Sequence, residues 1–389
     1  MSEAIGAPGA DAVVRCSLRE LLVYFLRLGT VGFGGPIALA GYMQSDLVER
    51  RRWFSKRDYV EGLTLAQLAP GPLAAQLAMY LGWARAGIGG ATLVAFAFIL
   101  PSFLMVLALS ALYVHFGGLP FMQGLFYGIG AAVIAVIARS AYKLVRLTLA
   151  KDWLLWSIFA INAAVTAWTE TEIIWLFLLG GALSLIVKAP PRFGRSRVAS
   201  FLPIWLLTGL TGVASLGSLG QLGLYFAKAG AFVFGSGLAI VPFLHGAVVL
   251  EYRWLTERQF LDAVAVAMIT PGPVVITVAF IGYLVAGPLG AGVSALGVFL
   301  PCYLFVIVPA PFYRRFADNR SIKAFVDGVT AAATGAIAGA AFVLGRRAIV
   351  DVPSVLLALG TLSLLVLWKK APEPLVILAA GLVGLLVKR

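Results

Sequence analysis

Long apolar runs separated by short polar connections dominate the chain, and they predict helices of membrane-crossing length. In the first half they cover 18–48, 59–85, 88–113, 121–145, 153–168 and 173–188. In the second half they cover 218–247, 259–284, 289–312, 322–345, 352–368 and 373–387. A further apolar piece at 200–217 has no counterpart before residue 18. The runs at 153–168 and 173–188 fall short of the roughly 20 residues a span needs, so they predict a tight hairpin across the bilayer or elements lying partly within it. The expected fold class is an all-α polytopic membrane protein with about 10–13 membrane segments.

The pattern is duplicated. Tyr24-Phe25, Gly29, Phe33-Gly34, Trp53 and Pro70-Gly71-Pro72 recur as Tyr225-Phe226, Gly230, Phe234-Gly235, Trp254 and Pro271-Gly272-Pro273, each 201 positions on. After one deletion the match continues at an offset of 200, with Tyr80/Phe280, Gly82/Gly282, Gly87/Gly287, Pro101/Pro301 and Gly128/Gly328. The expected division is a cytoplasmic tail over 1–17, a first repeat over 18–188, a linker with the extra apolar piece over 189–217, and a second repeat over 218–389. Repeated apolar halves with breakers at equivalent depths are the signature of a secondary transporter.

Residues 59–85 cannot form one straight helix. Pro70 and Pro72 each remove a backbone donor and set a ring against the carbonyl four residues back, and Gly71 disfavours helix further. Ser55-x-x-Asp58 and Thr256-x-x-Gln259 mark helix starts of the capping-box kind at equivalent positions. A half-helix is expected from about 56 to 69, then a break, then a new helix opened by Pro72, because proline suits the first helical position. Such a half-helix rises roughly 20 Å and ends near the middle of a hydrocarbon core about 30 Å thick. Pro271 and Pro273 repeat the break around Gly272. Gly32-Phe33-Gly34-Gly35-Pro36 follows the same logic, and its counterpart Val233-Phe234-Gly235-Ser236-Gly237 offers Ser236 as a cap or ligand in place of the proline.

Broken backbone at membrane depth must be buried in protein or line a wet cavity. The helix N-termini after Gly35, Gly71, Gly237 and Gly272 each present free N–H groups and a positive dipole end. Converging at the midplane they would bind an anion with little side-chain charge. Gly34, Gly35, Gly71, Gly235, Ser236, Gly237 and Gly272 are therefore candidate binding positions. Gln67, Gln76, Thr270 and Thr277 flank the breaks as hydrogen-bond donors to an oxyanion or as helix-to-helix glue.

Composition and charge sharpen this reading. The chain is 61% hydrophobic and 12% charged, against about 25% charged in soluble domains. Its net charge of +13 reflects loop bias toward the cytoplasm or attraction of an anionic substrate. Arg50 to Arg57, Arg139 to Lys151 and Lys188 to Arg197 are basic clusters of cytoplasmic character, whereas the Glu170–Glu172 connection lacks Lys and Arg. In the second half Arg314 to Lys323 is the strongest basic loop, and its counterpart 114–123 contains no Lys or Arg. The bias swaps sides between halves, which predicts inverted-topology repeats; Arg346-Arg347 and Lys388-Arg389 run against it. Cys16 and Cys302 fall at unrelated positions and predict neither a disulfide nor a metal site. No cofactor is expected.

Together the segments Phe33-Gly34-Gly35-Pro36, Arg52-Trp53-Phe54-Ser55, Gln67-Leu68-Ala69-Pro70-Gly71-Pro72, Phe234-Gly235-Ser236-Gly237, Thr270-Pro271-Gly272-Pro273-Val274 and Phe280-Ile281-Gly282-Tyr283 resemble the chromate transporter family. The chain is similar to its long, two-domain members over nearly all of 18–348. Pro36 departs from the pattern, standing where the family often carries a third glycine. The resemblance implies a multi-pass protein of the bacterial inner membrane that exports chromate, confers chromate resistance and is subject to competition by sulfate, an isosteric dianion.

The remaining charges suit that expectation. Arg27 and Lys228 occupy equivalent positions just before the first break, as attractors of an anion or as side chains snorkelling to the interface. Glu61 and Asp262, also equivalent, are candidate coupling carboxylates or complements to a helix dipole. Trp53 and Trp254 are expected interfacial anchors. His115 and His245 have no carboxylate or cysteine neighbours in sequence and predict neither metal binding nor catalysis. Arg85 against Val285 and Asp327 against Tyr127 distinguish the halves. The expected partners are a small inorganic oxyanion and the lipid bilayer, with a homodimer left open and no nucleic acid. A sulfate carrier, an anion channel and a membrane-embedded enzyme are the other classes to weigh; scarcity of acids and histidines in the spans counts against the enzyme.

Overall fold

The computed structural model describes residues 13–33, 35–116, 120–170, 173–190, 217–232, 240–313, 319–349, 351–368 and 372–387. Gly34, Gly235, Ser236 and Gly237, most of the apolar piece at 200–217 and the chain before residue 13 lie outside them. Among the described residues there are helices and no strand. The first half contains α1 (Leu18–Val31), α2 (Gly35–Met43), α3 (Lys56–Leu68), α4 (Leu73–Phe116), α5 (Pro120–Leu149), α6 (Trp153–Thr169) and α7 (Ile174–Lys188). The second half contains α8 (Ser218–Phe232), α9 (Ile240–His245), α10 (Glu257–Ile269), α11 (Thr277–Ile307), α12 (Arg320–Ala348), α13 (Val352–Leu367) and α14 (Glu373–Val387). Wide π-helical turns extend α2 over Gln44–Arg50 and α9 over Gly246–Glu251.

Capping starts these helices where the sequence marks it. Ser17 with Glu20 and Thr256 with Gln259 form reciprocal capping boxes, and the Ser55 hydroxyl accepts from the Asp58 N–H at 3.0 Å. α3 and α10 end at the breaks, their last caps being Ala69 and Thr270. α10 buries Phe260 and Ala263–Met268, and α3 buries a narrower stripe of Tyr59, Gly62, Leu65 and Ala66, so packing rather than helix propensity holds them.

Each break is the tip of a hairpin, not a kink in a through-going helix. Gly62 faces the ring of Tyr80, and these two residues are equidistant from Gly71 in sequence. The first section of α4 therefore runs back along α3. At Ala86–Gly87 the chain turns again, with φ near +61° at Gly87, and Gly82 packs against the Gly90 carbonyl. Ala286–Gly287 repeats this turn in α11. α1 and the α2 arm make another hairpin: Gly32 lies against Leu39 near its tip, Tyr24 meets Trp53 further down, and the Val14 N–H donates to the Arg52 carbonyl at its mouth, 2.8 Å.

The outer helices are exchanged between halves. α6 and α7 pack on α12, while α13 and α14 pack on α5. Small residues allow the approach: Gly124 and Gly128 meet Ala380 and Gly384, Gly328 meets Gly180, and Gly335 and Gly339 meet the carbonyls of Phe159 and Ala163. Such stripes let helix backbones touch in lipid, where apolar burial alone gives no drive to associate.

Among the described residues, four helices are long and apolar enough to cross a membrane: those containing Leu73–Phe116, Gly124–Arg146, Val274–Phe312 and Arg320–Arg347. Shorter apolar helices lie at Trp153–Thr169, Trp175–Lys188, Val352–Leu367 and Glu373–Val387. On α4, Phe96, Leu100 and Leu104 are exposed at one-turn spacing, the mark of a lipid-facing stripe. Trp153 and Trp168, at the two ends of α6, are almost fully exposed, as an aromatic belt requires. Trp53 and Trp254 instead pack inside the hairpin mouths, against Tyr24 and Tyr225.

The mouths of the two repeats lie at opposite ends of α4. Beside its kink, Arg85 donates to the Cys16 carbonyl at the first repeat's mouth. Near its far end, the Tyr113 hydroxyl donates to Asp262, midway along α10, at 2.7 Å.

Candidate functional site

The hairpin tips meet where the two repeats face each other. The Gly272 N–H donates to the Gly32 carbonyl at 2.9 Å, joining the second repeat's Pro-Gly-Pro tip to the first repeat's glycine tip. Gly272 also sits against Ser102, and Ser102 Oγ lies 3.3 Å from the Gly29 carbonyl. Part of this arrangement recurs on the other side. Gly71 sits against Cys302, and Cys302 Sγ lies 3.6 Å from the Gly230 carbonyl. Each tip thus rests on the residue after Pro101 or Pro301 of the opposite repeat.

Backbone conformation at the tips demands glycine. Gly71 has φ +135° and Gly272 φ +97°, a region costly to other residues. Gln76, fully buried, ties the first tip by donating from Nε2 to the Pro70 carbonyl at 2.6 Å. Pro72 stands just before α4, and its carbonyl accepts from the Gln76 N–H. The Thr277 N–H that opens α11 is served by the Val274 and Val275 carbonyls of the 3₁₀ turn before it, whereas the first N–H groups of α4 have no intrahelical carbonyl to serve them.

The other expected residues divide. Thr270 is buried, but its hydroxyl is spent on the Ala267 carbonyl of its own helix. Gln67 is exposed, one residue before the end of α3. Gly35 opens α2, followed by a half-buried Pro36. Arg27 and Lys228 are both exposed, and Arg27 lines an open cleft that ends at Gly32 and Phe33. Glu61 pairs with Arg57 at 3.0 Å and accepts from Tyr80 at 3.4 Å. Asp262 is buried at 4% exposure and accepts from Tyr113.

Two features escape sequence reasoning. Ser102 and Cys302 share the 200 offset and follow equivalent prolines, a signal hidden because the residue types differ. His245 does have carboxylate company: its Nε2 lies 2.7 Å from Glu257, which also pairs with Arg347 at 2.9 Å. Arg347 in turn engages Glu170. The turn between α9 and α10 creates the His245–Glu257 contact, which no periodicity encodes. Among the described residues no cluster of three or more His, Cys, Asp or Glu could hold a metal ion.

Paired re-entrant hairpins, exchanged outer helices and lipid-facing stripes define an all-α polytopic membrane protein built from two equivalent halves. The chain belongs to the chromate transporter family, which it matches twice, over residues 19–185 and 220–385. It is 59% identical to the chromate transport protein of Cupriavidus metallidurans, over 95% of this chain and 93% of that one. It is 56% identical to the probable chromate transport protein of Synechococcus elongatus, over 95% of each. The chromate transport protein of Pseudomonas aeruginosa is 33% identical, over 95% of this chain and 92% of that one. No solved structure matches.

Proposed function

We propose that this protein is a secondary active transporter that exports chromate across the bacterial inner membrane and so confers chromate resistance. The observation that carries the reading is the meeting of hairpin tips from both repeats around Gly32, Gly71, Gly272, Ser102 and Cys302. Opposed half-helix ends at an interface between repeats are where such folds bind and alternately expose a substrate. The anion would lie among the N-terminal ends of α2, α4, α9 and α11, beside Gly34, Gly35, Gly71, Gly235, Ser236, Gly237 and Gly272. Because the Gly272 N–H already serves Gly32 and Pro273 carries none, the groups offered at that tip are the Val274 and Val275 N–H groups.

The repeats are of inverted topology in this reading. Support comes from the two mouths, which Cys16 and Asp262 mark at opposite ends of α4. Arg346 and Arg347, which run against the charge bias as bare sequence, are neutralised by Glu170 and Glu257. The unmatched excess of Arg50 to Arg57 and Arg139 to Lys151 then sets the first mouth in the cytoplasm.

Asp262 is the favoured coupling carboxylate. It is buried, bonded to an uncharged hydroxyl and without an ion-pair partner among the described residues, and such a group inside a membrane marks an ion or proton path. Glu61 is already neutralised by Arg57.

The test is chromate uptake into everted vesicles with and without a proton gradient. Gradient-dependent uptake, inhibited by sulfate and made gradient-insensitive by Asp262→Asn, is expected. Uptake equal to that of vesicles lacking the protein overturns the assignment. Sulfate transport without chromate transport would instead make the protein a sulfate carrier.

A further inference from the structure

The cleft between α1 and the α2 arm has a volume of about 860 Å³ and is lined by Tyr24, Arg27, Tyr42, Asp46, Arg50 and Arg51, reaching Gly32 and Phe33 at its inner end. Three arginines stand here against one aspartate. Asp46 is taken by Arg50 at 3.0 Å. Arg27 and Arg51 have no ion-pair partner among the described residues. Glu20, whose field also reaches Arg51, is engaged by the Ser17 backbone and hydroxyl.

Arg51 is held in place without an ion pair among the described residues. Its guanidinium lies 4.7 Å from the Trp53 ring centre and 5.7 Å from that of Tyr24. Stacking fixes the plane of the fork and leaves its N–H donors free for an oxyanion. Tyr24 is nine-tenths buried and its hydroxyl is shut off from solvent, so the ring walls the cleft and supports Arg51.

The second repeat has lost this arrangement. Its equivalents of Asp46, Arg50 and Arg51 are Ala247, Glu251 and Tyr252. Tyr252 stacks on Trp254 at 4.6 Å, as Arg51 does on Trp53. That mouth is also tied by the His245–Glu257–Arg347–Glu170 contacts.

We propose that the first-repeat cleft is a docking vestibule for a divalent tetrahedral oxyanion, held between Arg27 and Arg51 before it reaches the hairpin tips. This rests on the transport reading above and adds a loading site on one face only. A dianion matches two cations that have no ion pair among the described residues, and focusing within a cleft raises its local concentration. The vestibule opens at the basic mouth, so it loads the protein from that face.

Two measurements test it, and the first does not depend on transport. In Tyr42→Cys, sulfate at constant ionic strength should slow labelling by an anionic thiol reagent about fivefold relative to chloride, and Arg27→Gln with Arg51→Gln should remove the protection. Equal protection with and without the arginines, or none in their presence, overturns the vestibule. In sided proteoliposomes with chromate supplied at the first-repeat face, the same double variant should raise KM about tenfold with kcat unchanged. A fall in kcat with KM unchanged, or no change in either, overturns it. If the parent protein moves no chromate, the transport reading fails, and the labelling result still decides the vestibule.

Discussion

Gly272 bears two demands at once, a left-handed φ of +97° and close contact with Ser102 across the repeat interface. A methyl group there would overlap the Ser102 hydroxyl, and the backbone alone would cost about 1–2 kcal/mol. Gly272→Ala is expected to lower thermal stability in detergent and to cut chromate transport at least about tenfold. Gly41→Ala, on an exposed site with nothing within 4 Å of the added carbon, should match the parent protein in both assays. The need for glycine at 71 and 272 was legible in the sequence, since each sits between two prolines at equivalent positions. What presses on those glycines was not. The residues doing so, Cys302 and Ser102, differ in type and lie 231 and 170 positions away in the chain.

Among the elements, the second mouth is bound to the scaffold by charge. Glu257 at the start of α10 meets His245 from α9 and Arg347 from α12, and Arg347 also reaches Glu170 after α6. Removing Arg347 would leave two half-buried carboxylates without their shared cation. Arg347→Gln is expected to destabilise the protein by about 1–3 kcal/mol, read as a fall in its unfolding temperature. Arg50→Gln at the open first mouth, where the pair with Asp46 is largely exposed, should change it far less. The extents of α3, α4 and α10 followed from caps and breakers, because those act within a turn or two of the chain. Whether a break makes a kink or a hairpin depends on whether Gly62 finds Tyr80, which is a packing outcome. His245 illustrates the same limit: its carboxylate partner is twelve residues away across a turn of irregular geometry.

At the scale of the whole molecule, the proposed inversion of the repeats sets how the protein could work, because inverted halves can exchange open and closed conformations. Arg57 and Arg258 are equivalent exposed residues at the two mouths. With Cys16 and Cys302 both buried, Arg57→Cys and Arg258→Cys should react with a membrane-impermeant maleimide from opposite faces. Labelling from one face would sink the inverted arrangement. The sequence by itself determined the helical membrane class, the duplication, the positions of the breaks and the helix starts, since hydropathy, proline and glycine geometry and capping are local properties of the chain. Only the tertiary structure decided that the tips touch across the repeats, that α6–α7 and α13–α14 pack on the opposite halves, and that one mouth carries free arginines while the other is tied by a salt-bridge network. Those contacts join residues far apart in the chain, and they are selected by how small residues let backbones approach and by which charges can be paired once apolar surfaces are packed.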